Sequence, residues 1–133
     1  MGLLDSFRIS GSALTAERLR MDAIASNLAN LETTRTPEGG PYRRQKVIFA
    51  PFKPPGAAGV GVQVTALLSE GRFRRVYDPG HPDADADGFV TMPDINLATE
   101  MTDLLSAVRA YEANVSALSA LRQMAQRALE IGR

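Results

Sequence analysis

The chain has 133 residues, room for one domain or one compact piece with long appendages, and with 44% apolar but only 6% aromatic residues its core must be built from Leu, Val, Ile, Met and Ala. Fifteen basic residues balance fifteen acidic ones, which argues against nucleic acid or an anionic membrane as the main partner and leaves little repulsion between copies. The absence of Cys excludes disulfides and thiolate chemistry, and no apolar run reaches the roughly 18 residues of a membrane span, so no direct membrane insertion is expected.

The first 31 residues lack Pro and predict a helix. No basic-then-apolar opening marks a cleavable secretory signal, so any export is expected to use a route that leaves none. Phe7, Leu14, Met21 and Leu28 recur every seven residues, and Ile24 and Leu31 add the second position of a narrow coiled-coil seam. Gly11, between Ser10 and Ser12, is the weak point, upstream of which the helix should fray.

Residues 32–58 read as an extended, turn-rich connector: ETTRTPEGGP breaks the helix, a short apolar run at Val47 to Phe49 has β texture, and PFKPPGAAG follows. Residues 59–92 read as a small β-rich region. Val60, Val62, Val64 and Ala66 alternate as in a half-buried strand, with further strands at Phe73 to Tyr77 and Phe89 to Thr91.

Residues 93–133 predict the second long helix, started by Pro93, Asp94 and Asn96 and stopped by Gly132. Leu97, Met101, Leu104, Val108, Tyr111, Val115 and Leu118 alternate steps of four and three; beyond Arg122 the stripe shifts to Leu121, Ala125 and Ala128, like a stutter. The two helices would be rods of roughly 43 and 51 Å. The fold class is therefore α+β, mainly α, with the terminal helices as an antiparallel coiled-coil pair around a small β-rich insert. Periodicity alone does not choose between a closed helical hairpin and seams shared with other chains.

Candidate chemistry is sparse. Asp83, Asp85, Asp87 and Gly88 match the start of a calcium-binding loop, with Asp94 at its last position. Pro82 and Pro93 spoil the flanking geometry, and an Asp-rich turn explains the same residues. The basic cluster Arg43, Arg44, Lys46, Arg72, Arg74 and Arg75 suits acidic groups on a neighbouring subunit better than nucleic acid. A single His in a loop, and no phosphate loop or nucleophile motif, leaves an enzyme without support. No metal and no cofactor are expected.

Ser26-Asn27-Leu28-Ala29-Asn30, followed by Thr36-Pro37 and Tyr42-Arg43-Arg44-Gln45, resembles the signature of the flagellar axial proteins of rod and hook. Residues 76–101 and 109–133 agree with it, most closely with the proximal rod member. The resemblance implies a structural subunit of the flagellar basal body, exported through the type III apparatus and assembled in the periplasmic space with other rod proteins and copies of itself. In that picture the two seams become assembly contacts, and the segment from Asn27 to Gln45 orders on assembly. The alternatives are another axial rod subunit or a calcium-binding interaction module.

Overall fold

A computed structural model describes residues 2–132; Met1 and Arg133, the outermost residues of the expected terminal helical segments, lie outside it. The elements in order are α1 (Leu3–Ala29), β1 (Arg44–Phe52), β2 (Gly61–Glu70), β3 (Phe73–Tyr77), β4 (Phe89–Pro93) and α2 (Leu97–Ile131). The β residues form two separate antiparallel hairpins, β1–β2 and β3–β4. The first has a bulge between Ile48 and Phe49.

α1 is the central element, packed against α2, β1 and β2. Its expected seam residues Phe7, Leu14, Met21, Leu28 and Leu31 are half-buried, and Ile24 is buried. The helix also has a second packed side. Ala16 and Ala23 are buried beside Val62 and Val64, where small side chains let a strand lie close. Gly11 does not break the helix. One residue on, Ser12 Oγ donates to Ile9 O (2.7 Å) and accepts from Val62 N–H (3.1 Å), so β2 is fastened beside the expected weak point. Gly61 permits this approach: a Cβ there would stand 2.6 Å from Ser12 Oγ.

The strands take their places from residues read in the sequence. Val62, Val64 and Ala66 face inward and are half-buried, while Val60 lies exposed ahead of the strand. β1 takes residues 44–52 out of the expected connector and pairs them along β2. Of the rest, residues 32–43 form a hydrogen-bonded loop in the single chain, with Thr36 N–H on Gly40 O (3.0 Å) and Tyr42 N–H on Thr33 O (3.0 Å), and residues 53–58 belong to the turn between β1 and β2, where Ala57 N–H meets Pro54 O (3.1 Å).

α2 has 35 residues against 27 in α1, about 52 and 40 Å of rod. Asn96 caps it, its side chain accepting from Thr99 N–H (3.0 Å). The start of α2 lies at the end of α1, where Asn27 meets Glu100, and Asp103 lies near Arg20 and Ile24, so the helices run antiparallel. The contact row differs from the expected one. Glu100 and Ala107 are buried, and Leu104, Tyr111, Asn114, Leu118, Leu121 and Ala125 are half-buried, in steps of four and three with no stutter. Leu97 (56%), Met101 (47%) and Val115 (45%) are exposed, and Val108 sits at the edge. The expected seam is therefore only half intramolecular: its Leu104–Tyr111–Leu118 row faces α1 and its Met101–Val115 row does not.

Candidate assembly site

Most of the motif residues singled out in the sequence converge where α1, β1 and α2 meet. Asn27 is fully buried on the last turn of α1 and uses every hydrogen-bonding position of its amide. Its Oδ1 accepts from Gln45 N–H (2.8 Å) and Tyr42 OH (2.9 Å); its Nδ2 donates to Gln45 O (2.9 Å) and Glu100 Oε2 (3.2 Å). The side chain thus pairs with the Gln45 backbone as a strand neighbour would. Ser26 Oγ lies 2.9 Å from Tyr42 OH. Asn30 Nδ2 donates to Ser26 O (2.8 Å) at the end of α1, where carbonyls lack helical partners.

Glu100 is 1% exposed on α2 and is the chemical surprise of the junction. Its carboxylate receives Arg44 Nε and Asn27 Nδ2. Arg44 also reaches Glu70 on β2 (3.1 Å) and Asp103 on α2 (3.9 Å). Burial alone would lower the Arg44 pKa; the hydrogen bonds and charges of Glu100 and Glu70 outweigh it and hold the pKa above its ordinary value. The described residues contain no buried side-chain polar atom without a partner, so the network is complete.

Sequence reasoning missed Glu100. A carboxylate one residue before the apolar Met101 reads as solvated, and only its partners, 73 and 56 positions away in the chain, explain its burial. Three members of the basic cluster are engaged within the chain. Arg44 meets acids of its own chain, Arg75 pairs with Asp85 and lies over the Phe89 ring, and Arg43 lies over Phe73. Thr36 and Pro37 sit in the loop turn closed by Thr36 N–H on Gly40 O.

The Asp-rich stretch folds as a turn. Asp83 accepts from Thr34 Oγ1 (2.7 Å) and from Arg35, which hold its carboxyl below the usual range. Asp85 accepts from Phe89 N–H and Asp87 N–H (both 2.9 Å) and from Arg75 (2.6 Å), and is lowered likewise. Gly88, at φ +84°, closes the turn under Tyr77, leaving no room for a Cβ. Asp83, Asp85, Asp87 and Asp94 form no cation site: no group of three or more metal-ligating side chains occurs among the described residues.

Residues 7–35 match the family described as flagella basal body rod protein, and residues 86–131 match the flagellar basal body rod FlgEFG protein C-terminal family. Along almost its whole length the chain is similar to flagellar basal-body rod proteins FlgC. It is 44% identical to that of Escherichia coli O6:H1 over 99% of both chains, 42% to that of Borreliella burgdorferi over 98% of both, and 42% to that of Bacillus subtilis over 100% of both. The chain belongs to the flagellar basal-body rod protein family. Rod-family membership makes it a structural protein of the basal body and not an enzyme. The two family matches cover α1 from Phe7 with the start of the following loop, and β4 with the whole of α2; β1, β2 and β3 lie between them.

Proposed function

We propose that this rod subunit assembles through the outward row of α2, as a proximal subunit of the drive shaft that carries motor torque. One observation carries the reading: Leu97, Met101, Leu105 and Val115 stand between 45% and 56% exposed on a 35-residue helix whose other side is covered by α1. An apolar row of that length is unstable in water and is satisfied by a neighbouring helix, in coiled-coil fashion. The neighbours are other rod proteins and further copies of this chain, joined by contacts that repeat without closing. The subunit reaches the periplasmic space through the type III export apparatus with no signal cleaved. No described helix is long and apolar enough to cross a membrane, and the balanced charge gives nucleic acid no purchase.

The experiment is electron microscopy of basal bodies from a deletion strain complemented with Met101→Asp or Val115→Asp. Particles with membrane rings but no complete rod are expected, while the purified variants keep the unfolding midpoint of the parent. Complete rods and normal swimming in both strains would remove the outward row from assembly. Leu104→Asp is a poorer probe, because Leu104 is half-buried against α1 and its loss confounds folding with assembly.

A further inference from the structure

The side of α2 turned toward α1 is not its most apolar one. Leu104, Tyr111 and Leu118 form a central row. Met101, Val108 and Val115 flank it on one side; Glu100, Ala107 and Asn114 flank it on the other. The structure buries Ala107 (0% exposed) and Glu100 (1%) of the second flank and half-buries Asn114, while Met101 and Val115 of the first stand exposed and Val108 lies half-buried at the edge. Apolar area alone favours the opposite choice, since a Met and two Val remove more hydrocarbon from water than an Ala, an Asn and a Glu. Bringing the first flank inward requires turning α2 by about 50°, half the step between consecutive helical residues.

The polar junction opposes that turn. Rotation would draw Glu100 away from Asn27 and Arg44 together, and both were brought there by other elements. Asn27 cannot follow, because the Gln45 backbone holds both ends of its amide. Groups left buried without partners cost more than the bonds gain when made. We propose that Asn27, Arg44 and Glu100 are positioning residues that set the rotation of α2 and so keep its more apolar flank outside for a neighbouring subunit. The last clause rests on the assembly reading above; the rotational setting does not.

The absence of Cys makes the test clean. Met101→Cys, Val115→Cys and Ala107→Cys are each placed in the full chain, and thiol labelling is followed on the isolated protein. The first two should react about tenfold or more faster than the third, because labelling tracks exposure. With Glu100→Ala added, the order should reverse: position 107 becomes fast and positions 101 and 115 slow, with helical circular dichroism unchanged. Glu100→Gln, which keeps shape and hydrogen bonding, should retain the parent order. An unchanged order in Glu100→Ala overturns the proposal. If Glu100→Ala unfolds, so that all three probes react alike, Arg44→Leu carries the same test by driving an unpaired carboxylate toward water. An unchanged order there overturns the proposal, as does loss of helix in both variants, which would mean the junction holds the fold together without choosing between two settings. Reversed labelling in a variant that still builds complete rods would uphold the positioning role and sink the assembly reading. Unchanged labelling with lost rods would sink the positioning role and show that the junction serves assembly by a route other than the rotation of α2.

Discussion

Two places in this molecule pair arginine with a carboxylate, and they stand at opposite ends of an energetic scale. At the helix junction, Glu100 is buried, shares Arg44 and Asn27, and ties α1, β1 and α2 together. At the Asp-rich turn, Asp83 meets Arg35 and Asp85 meets Arg75 with both arginines well exposed. Water screens the second pair of contacts and can replace them. At the first it reaches part of Arg44 but not Glu100, whose charge is stranded if its partner is lost. Residue types and charges are alike in the two places, so burial alone separates a contact that dictates geometry from one that decorates a turn.

The largest effect should come from stranding the buried charge. Arg44→Leu is expected to lower unfolding stability by about 3–5 kcal/mol in denaturant titration, less whatever a rotated α2 recovers. Glu100→Gln, which removes the charge but keeps a hydrogen-bonding side chain, should cost clearly less. Equal losses for the two would erase the distinction between a stranded charge and a lost bond. Next in size is the docking of the first hairpin on α1, which is apolar and steric. Gly61→Val forces a side chain against Ser12 and should cost about 1–3 kcal/mol while leaving the junction intact.

The smallest effects belong to the Asp-rich turn. Asp83→Asn and Asp85→Asn should shift the unfolding midpoint less than either change above. Their pH dependence has a definite sign. Both carboxyls are held below their usual range in the folded chain, so their contribution is complete above the ordinary carboxylate pKa and is lost as pH falls through the depressed folded values. The parent should lose more stability than the double Asn variant between about pH 4 and pH 2. Parallel losses would mean that these contacts add nothing to folding. Calcium should leave the midpoint of the parent unchanged; a rise at millimolar calcium would return the loop to consideration as a cation site.

Much of the architecture was legible in the chain because it is local. The Pro-free heptads of α1, the Asn96 start signal, the Val62–Val64–Ala66 alternation and the glycine-rich breaks each depend on spacing within a few turns or strand steps. The Asn27 to Gln45 motif was visible as a pattern, but its chemistry was not. Neither a buried amide bonded to a strand backbone nor a Glu that belongs inside is a property of neighbouring residues. The seven-residue repeat of α2 pointed to one seam, Leu97 to Leu118, of which only the Leu104–Tyr111–Leu118 row is turned toward α1. The sequence by itself determined two long helices, short strands and their order, since those follow from backbone preference and periodicity. Which side of α2 faces α1 was decided only in three dimensions, because a carboxylate there must meet an arginine and an asparagine that the chain carries 56 and 73 residues away.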